Sequence, residues 1–324
     1  MGLDVQVLGG PSSDNALFVR VNTGRATHRL LFDVGQGVLD GVARPEVTAT
    51  DHLFFSHFHM DHVAGFDAFL RVNAARERPV HVWGPPRTSE FVHHRLRGVM
   101  WNLAPTSGGD WLVSDVDPPR VRAARFALPE RFETRHDLGE RLLDGPLVSH
   151  ADFTVEVRLL DHRTPSAAYL VREAPRVNVD AHRLAAMNLA PGPWLARLKN
   201  GESGLHEGHD LAALRTALLT QTPGASVAYL TDLRLDDDAH AALTPWLSGV
   251  TTLVCESQYR HDDADLAALN HHVTSVQAAR LARDADVREL VLFHVSDRYD
   301  GAERAALLQE ARAIFPATRF PDGW

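Results

Sequence analysis

The stretch Ser56–Gly65, which reads S-H-F-H-M-D-H-V-A-G, places four potential metal ligands within six positions: His57, His59, Asp61 and His62. The apolar run Leu53-Phe54-Phe55 before it predicts a short buried strand. Residues two apart in an extended segment project from the same side, so His57 and His59 should point together. Asp61 and His62 then turn the other way, which lets one loop serve two adjacent cations. Imidazole and carboxylate donors are ligands that suit zinc.

Nineteen histidines are spread over the 324 residues, so an isolated His-x-His could be no more than a solvated loop. The combination His-x-His-x-Asp-His after an apolar strand is a much narrower pattern and favours metal binding. The motif resembles the signature of the metallo-β-lactamase superfamily of binuclear hydrolases. That resemblance implies an α/β chain with the four-layer αββα fold and two metal ions, and it leaves the substrate open.

The composition is that of a globular protein with a sizeable core, since 44% of the residues are hydrophobic and 23% are charged. We expect residues 1–324 to form a single domain of the metallo-β-lactamase type. Cys255 is the only cysteine, which excludes an intrachain disulfide framework. The sequence lacks the pattern of a signal peptide and any apolar run of membrane-spanning length. We therefore expect a cytoplasmic enzyme with no membrane contact.

The formal net charge is −9, and Lys199 is the only lysine, so arginine carries nearly all the positive charge. An acidic total opposes nucleic-acid binding, which normally rests on a positive surface. A local basic patch can coexist with an acidic total, so binding of a polyanion stays open.

Five predicted apolar strands end in a residue of a metal-binding type: His57, His162, Asp232, Glu256 and His294. Because α/β enzymes build their sites on loops beyond the ends of sheet strands, we expect these side chains to meet. Asp33 also follows a predicted strand, where it can orient ligand histidines or form turn hydrogen bonds.

A binuclear site divides the ligands into two sets. We expect one metal on His57, His59 and His162, the other on Asp61, His62 and His294, and Asp232 as the bridge. Two Zn²⁺ ions are the expected cofactors, with Mn²⁺ or another divalent metal as an alternative. Such ions lower the pKa of bound water towards ~7 and stabilise the charge that develops in a displacement at phosphorus or carbon.

The whole chain resembles the ribonuclease Z family, whose members trim the 3′ trailer from precursor tRNA. The resemblance rests on motifs that follow one another along the chain. They are Phe32-Asp33-Val34-Gly35-Gln36-Gly37, His57 to His62, His162 in D-H-R-T-P, Pro191-Gly192-Pro193 with Lys199-Asn200-Gly201-Glu202, Thr231-Asp232, Cys255-Glu256-Ser257, His272-Val273-Thr274 and His294 to Tyr299.

This resemblance implies roles for residues besides the metal ligands. His272 would donate a proton to the leaving group, and Asp61 would also orient or deprotonate the attacking water. Ser296 and Arg298 would contact the substrate phosphate, and Asp33 and Glu256 would support the ligands from behind. The alternatives are a hydrogen bond at a helix start for His272 and a surface ion pair for Arg298.

Residues 172–210 differ in composition from the rest of the chain, because prolines and glycines interrupt short helical pieces. They resemble the arm with which the family grips the tRNA elbow, and the alternative is a surface loop with scattered arginines. The family resemblance also implies precursor tRNA as the partner and a homodimer as the assembly.

Three residues depart from the family motifs. Met60 replaces a glycine inside the metal motif and would crowd the pocket, while Val273 replaces a serine beside His272 and Thr231 a glycine before Asp232.

A tRNA 3′ endonuclease is the leading function. The alternatives are another hydrolase of this fold, acting on a small phosphodiester, lactone or thioester, and a catalytically degraded RNA- or protein-binding module.

Overall fold

A computed structural model describes residues 2–103 and 107–324. These residues form two compact units. The larger unit comprises the chain up to Arg172 together with Ala225–Trp324, and the smaller unit is Glu173–Gly224. Within the described ranges, no helix is both long enough and apolar enough to cross a membrane.

The first sheet of the larger unit has eight strands that lie in chain order. They are β1 (Gly2–Leu8), β2 (Ala16–Asn22), β3 (Thr27–Phe32), β4 (His52–Phe54), β5 (Val80–Gly84), β6 (Asp110–Asp117), β7 (Arg120–Ala127) and β8 (His136–Leu142). The four central strands, β3 to β6, pair in parallel. The outer pairs at both edges are antiparallel.

The second sheet has seven strands in the order β19-β18-β17-β16-β11-β10-β9. Their bounds are β9 (Val148–Ser149), β10 (Phe153–Asp161), β11 (Pro165–Glu173), β16 (Ser226–Leu230), β17 (Thr252–Glu256), β18 (Glu289–Phe293) and β19 (Thr318–Arg319). The last four strands in the chain pair in parallel. Parallel strands put their carboxyl ends at one edge of a sheet, which is where the predicted ligands follow.

Eight helices belong to the described part of the larger unit. They are α1 (Arg44–Thr48), α2 (Met60–Val63), α3 (Phe66–Asn73), α4 (Thr88–Arg97), α8 (Asp237–Leu247), α9 (Ala264–Asn270), α10 (Ser275–Asp284) and α11 (Gly301–Arg312), with 3₁₀ turns at Leu128–Glu130 and His261–Asp263. The predicted cap of α10 forms through Thr274, which makes a capping box with Gln277.

Three hydrophobic clusters fill the spaces between four layers. One joins the first sheet to α1, α3 and α4, a second joins the two sheets, and a third joins the second sheet to α8, α10 and α11. Strand β18 shows how the sequence produces this: Leu290 and Leu292 face the helices, while Val291 and Phe293 face the other sheet. A strand buried on both faces needs such a continuous apolar run. The predicted αββα architecture is confirmed.

The smaller unit has its own core. Strands β12 (Arg176–Val179) and β15 (Leu219–Thr222) pair with each other, as do β13 (Leu205–His206) and β14 (His209–Asp210), and the helices are α5 (Ala181–Ala186), α6 (Trp194–Lys199) and α7 (Leu211–Leu218). Leucines 211, 214 and 218 of α7 pack with Trp194 and Leu198 of α6. The predicted arm, residues 172–210, stops at the residue that caps α7, whereas the compact unit continues to Gly224.

Candidate metal centre

The histidine motif lies where β4 gives way to a short helix. His57 lies three residues after the end of β4, and Asp61 and His62 lie on α2. The rings of His57 and His59 meet, with Nε2 of the first 3.0 Å from Nδ1 of the second. The His57 ring also lies 4.2 Å from the His62 ring, so both halves of the motif meet at one place.

Three groups of donor atoms share Asp232; the third, with Glu256, His272 and His294, includes the predicted proton donor, and the other two contain the predicted ligands. His57, His59, His162 and Asp232 make one group, Asp61, His62, Asp232 and His294 make the other, and within each group the donor atoms lie within 4.8 Å of one another. These two groups contain the same residues that the sequence assigns to two metals. Their partners come from loops that are far apart in the chain and meet at one edge of the two sheets.

The carboxylate of Asp232 lies between the two groups. Its Oδ1 lies 3.5 Å from His62 Nε2 and 3.3 Å from His294 Nδ1. Its Oδ2 lies 3.4 Å from His162 Nε2 and 3.7 Å from His57 Nε2. Each oxygen thus faces a different set of imidazoles, which is the arrangement that a bridging carboxylate requires.

Two buried ring nitrogens support a fit to a divalent cation. His62 Nε2 and His294 Nδ1 are buried and, although they lie 3.5 and 3.3 Å from Asp232 Oδ1, neither makes a hydrogen bond of good geometry among the described residues. Buried polar atoms in proteins nearly always have a partner, so these two are suited to a ligand. Imidazole and carboxylate donors without thiolate match zinc, manganese and similar ions. A divalent metal site is therefore supported by the chemistry of the cluster.

Asp33 holds the loop of the histidine motif in place through Ser56 and His62. Its Oδ1 accepts a hydrogen bond from the Ser56 backbone N–H at 2.7 Å, and its Oδ2 accepts one from Ser56 Oγ at 2.7 Å. The same Oδ2 lies 2.9 Å from His62 Nδ1 and accepts the Tyr229 hydroxyl at 3.1 Å. Contacts of this kind fix the ring orientation of a ligand histidine. The sequence indicated Asp33 but gave no sign of Tyr229, which reaches it from the second sheet.

His162 is oriented by a backbone group. Its Nδ1 lies 2.7 Å from the carbonyl oxygen of His271, so Nδ1 donates and Nε2 is left for the cluster. His271 holds a left-handed backbone, with φ 56°. No side-chain pattern could reveal this role, because the acceptor is a carbonyl.

His272 faces the same centre from a different loop. Its Nδ1 lies 2.9 Å from Glu256 Oε2, and Glu256 Oε1 accepts the Leu233 backbone N–H at 2.9 Å. Burial alone would lower the pKa of His272, but the Glu256 carboxylate outweighs it and raises that pKa to about 9. Glu256 thus favours the protonated form of the ring, which can donate a proton.

The charges within the cluster stabilise one another. Burial would raise the pKa of Asp232, but His294 and His62 outweigh it and hold that pKa well below its usual range. Burial would lower the pKa of His62, but the carboxylates of Asp232 and Asp33 outweigh it and raise that pKa well above its usual value. His57 behaves differently: its pKa falls to about 2, chiefly through burial and then through the neighbouring His62. A bound cation would replace the protons on these ligands.

Four residues around the centre hold the left-handed backbone that side chains other than glycine rarely adopt: Asp33, Arg163, His271 and His294, with φ between 54° and 58°. Each of them follows the carboxyl end of a strand or helix. Such conformations cluster at functional sites, where the surrounding structure holds them in place.

An open cavity of about 440 Å³ lies over the donors. Five of the predicted ligands line its wall: His59, Asp61, His162, Asp232 and His294. The wall also includes His272, Arg163, Thr164, Gln258 and Asn270. Of the predicted phosphate contacts, Ser296 Oγ accepts the Arg298 backbone N–H at 3.4 Å. The guanidinium of Arg298 lies over the Tyr259 ring at 5.1 Å, and the Tyr259 hydroxyl accepts a hydrogen bond from Asn270 of the cavity wall.

Sequence reasoning missed the second arginine of this region. Arg163 directly follows the predicted ligand His162 and lines the cavity, so its position in the motif D-H-R was the available signal. Its guanidinium donates to the carbonyl of Leu269.

The three departures from the family motifs have different surroundings. Met60 begins α2 and is 74% exposed, so the expectation that it crowds the pocket is wrong. Thr231 is buried, and its Oγ1 donates to Asp232 Oδ1 at 3.0 Å, which adds a tether to that carboxylate. Val273 is fully buried in the hydrophobic cluster of α8, α10 and α11.

A comparison with protein-family models gives no match. The chain is 47% identical to the ribonuclease Z of Deinococcus radiodurans over 326 residues, covering 99% of this chain and 98% of that protein. The chain belongs to the ribonuclease Z family. The ribonuclease Z of Synechococcus sp. (strain CC9605) is 31% identical over 300 residues, covering 89% of this chain and 84% of its own.

Solved structures agree on the fold. Human tRNase Z, short form, superposes with a TM-score of 0.53 at 16% identity, over 92% of this chain and 94% of that chain. A metallo-β-lactamase fold protein from Bacillus subtilis, YhfI, gives a TM-score of 0.58 at 15% identity, over 98% of this chain and 95% of that chain. The predicted family and fold are confirmed, and membership of the ribonuclease Z family makes this chain a metal-dependent hydrolase.

Proposed function

We propose that this protein is a zinc-dependent endoribonuclease that removes the 3′ trailer from precursor tRNA. The observation that carries the proposal is the position of Asp232, whose two oxygens face two separate sets of ligands. Family membership supplies the substrate class, since the relatives at 47% and 31% identity are named ribonuclease Z.

Two zinc ions fit this donor arrangement, with His57, His59 and His162 holding one and Asp61, His62 and His294 holding the other. Asp232 would be shared between them, and Mn²⁺ or another divalent ion could replace zinc. When bound, such ions supply Lewis-acid stabilisation of the phosphate charge and lower the pKa of the attacking water. Asp61 is 41% exposed at its side chain and can orient that water from the rim of the site.

His272 is suited to protonate the leaving oxygen. Glu256 binds Nδ1 of its ring and raises the pKa of the imidazole, so Nε2 remains to deliver the proton. A general acid is needed because the leaving ribose oxygen is a strong base. Glu256 acts by positioning this ring, and its second oxygen is anchored on the Leu233 backbone.

Arginines at the rim would hold the substrate phosphate. Arg298 is exposed and lies over Tyr259, so its guanidinium can leave the aromatic face and bind a phosphate oxygen. Ser296 adds a hydroxyl on the same loop. Arg163 in the cavity wall is a second guanidinium that can contact the nucleotide backbone.

The smaller unit is a candidate for remote contact with tRNA. It carries five basic and five acidic residues in a chain whose net charge is −9, so it is the less acidic part. Three of its arginines already pair with acids within the unit: Arg176 with Glu173, Arg183 with Asp180 and Arg197 with Glu202. The fourth arginine, Arg215, donates to the carbonyls of Leu198 and Glu202, so Lys199 stands out as a contact for a tRNA phosphate. A homodimer, as the family resemblance implies, remains a prediction.

The decisive experiment incubates the zinc-loaded protein with a precursor tRNA and maps the cleavage position. We expect one cut at the start of the 3′ trailer, with a chelator-treated sample as the control. Hydrolysis of bis(p-nitrophenyl) phosphate without any tRNA cleavage would indicate a small phosphodiester as the substrate instead. Binding of tRNA without turnover of either substrate would indicate a catalytically degraded RNA-binding protein.

A further inference from the structure

A second histidine cluster lies at the other end of the strands that carry the metal centre. It consists of His28, His150 and Asp152, whose donor atoms lie within 4.8 Å of one another. His28 is the second residue of β3, and the other two lie in the tight turn between β9 and β10. Among the described residues, it is the group with metal-type spacing that does not include Asp232.

The contacts inside the second histidine cluster converge on one carboxylate. His28 Nε2 lies 2.8 Å from Asp152 Oδ2, and His150 Nδ1 lies 3.5 Å from the same oxygen. The Asp152 backbone N–H also donates to His150 Nδ1 at 3.1 Å. Phe153 packs against both rings, with centroid distances of 5.3 Å to His28 and 5.2 Å to His150.

The turn that carries His150 and Asp152 is well fixed. Ser149 pairs with Thr154 across it, and the His150 backbone N–H donates to the Phe153 carbonyl at 2.9 Å. The two imidazole rings lie 4.4 Å apart and tilted by 56°. Preorganised donors of this kind lower the cost of binding an ion, because little freedom is lost when it arrives.

We propose that the second histidine cluster is a structural site for a divalent transition metal, with Zn²⁺ as the preferred ion. Two imidazoles and one carboxylate are a donor set that zinc accepts, with water in the remaining position. Their side chains are 17%, 44% and 35% exposed, so an ion has access from solvent. An ion bound to His150 Nδ1 replaces the backbone hydrogen bond at that atom.

The site would connect the two sheets. His28 belongs to the first sheet, and the turn at His150 belongs to the second. His28 and Asp152 are 124 positions apart in the chain. A metal there would close a long loop between the sheets, and such cross-links stabilise the folded chain. Nine-residue β10 separates this end from His162 by about 30 Å, so the second histidine cluster acts on stability and not on the reacting atoms.

The test measures zinc per chain by elemental analysis after dialysis of the full-length protein against buffered zinc. The variants are His150→Ala and Asp152→Asn, and the matched control is His240→Ala. His240 pairs with Asp284 at 3.0 Å, which makes one imidazole–carboxylate pair without a second histidine. We expect each cluster variant to hold one zinc fewer than the wild type and the control to hold the same number.

A second measurement separates this site from the catalytic centre. Both cluster variants should keep the wild-type rate on bis(p-nitrophenyl) phosphate and should lose part of the rise in melting temperature that added zinc produces. Equal zinc contents in the wild type and both variants would overturn the proposal. A loss of one zinc in His240→Ala would overturn it too, because it would show that surface histidines bind zinc indiscriminately.

Discussion

At the scale of single residues, His272 is the group whose environment most clearly serves proton transfer. Replacing it with alanine should lower turnover of precursor tRNA by roughly 10²–10⁴-fold, the usual contribution of a general acid. His272 shares a third donor group with Asp232, Glu256 and His294, but its Nδ1 is bound to Glu256, so we expect the metal content not to change. The loss should shrink on bis(p-nitrophenyl) phosphate, whose leaving group needs no proton.

The measurement compares single-turnover rates on the two substrates, with elemental analysis of each sample. His136→Ala is a suitable control, because His136 also pairs with a glutamate, Glu130 at 2.6 Å, on a different part of the surface. An equal loss on both leaving groups would contradict the role of proton donor.

Asp232 is the residue on which both ligand sets depend. Asp232→Ala should remove both metals or reduce them to trace levels, and activity should fall with them, because each carboxylate oxygen faces one set of imidazoles. Elemental analysis of purified protein tests this directly. The exposed Asp238→Ala serves as the control. Retention of two metals per chain in Asp232→Ala would refute the bridging assignment.

At the scale of secondary-structure elements, the smaller unit can be removed without cutting a core strand. Arg172 of β11 pairs with Ser226 of β16, so the chain leaves and re-enters the sheet at neighbouring positions. Residues 174–224 can therefore be replaced by Asn-Gly, which suits a two-residue hairpin turn. If the unit contacts tRNA, cleavage of precursor tRNA should be lost while bis(p-nitrophenyl) phosphate hydrolysis persists.

The salt dependence of tRNA binding provides a second readout for this unit. Phosphate contacts release counterions, so affinity of the intact protein should fall steeply as salt rises, and less steeply for Lys199→Ala. If the smaller unit serves only to stabilise the protein by packing, its deletion should lower precursor-tRNA cleavage and bis(p-nitrophenyl) phosphate hydrolysis together. The melting temperature should fall as well. That parallel loss would decide against a tRNA contact.

Besides the buried Val47, an ion pair connects helix α1 to the first sheet through Glu46. Glu46 accepts hydrogen bonds from Arg29 on β3 and Arg20 on β2, at 2.7 Å and 2.8 Å. The Arg29 hydrogen bond, followed by that of Arg20, lowers the pKa of Glu46 to about 2. The carboxylate then stabilises the fold above its unfolded pKa near 4.5, and this contribution is lost as pH falls towards 2.

Replacing Glu46 with glutamine should remove the pH-dependent contribution of its carboxylate to the stability of the fold. We expect the free energy of unfolding to fall by about 1–2 kcal/mol at pH 6, after solvent screening is allowed for, and by less near pH 2. Urea unfolding of metal-free protein at a series of pH values checks this, with the exposed Glu77→Gln as the comparison. The same loss at pH 6 and pH 2 would show that charge is not the cause.

At the scale of the whole molecule, metal binding and folding should be coupled. The ligands come from both sheets, so the complete site exists only in the folded chain, and bound metal stabilises that state. Chelation should lower stability by roughly 3 kcal/mol when free metal had been 100-fold above its dissociation constant. Thermal unfolding with and without zinc measures this. Asp232→Ala should show a much smaller response to chelation.

The sequence by itself predicted the fold and the residues that meet in the candidate metal centre. Patterns such as His57 to His62 after an apolar strand are local, because strand, loop and short helix place those donors through backbone geometry alone. Continuous apolar runs such as Leu290 to Phe293 likewise indicate strands buried on both faces. Motif resemblance extended this to the ribonuclease Z family, and the 47% identity with the protein of Deinococcus radiodurans bears it out.

Only the tertiary structure decided which atoms meet across the chain. The division of the Asp232 oxygens between two imidazole sets, the hydroxyl of Tyr229 on Asp33 and the His271 carbonyl on His162 all join residues of different loops. The exposure of Met60, the extent of the smaller unit to Gly224 and the meeting of His28 with Asp152 have the same origin. Such contacts depend on how sheets and loops pack over long sequence separations, which no local pattern encodes.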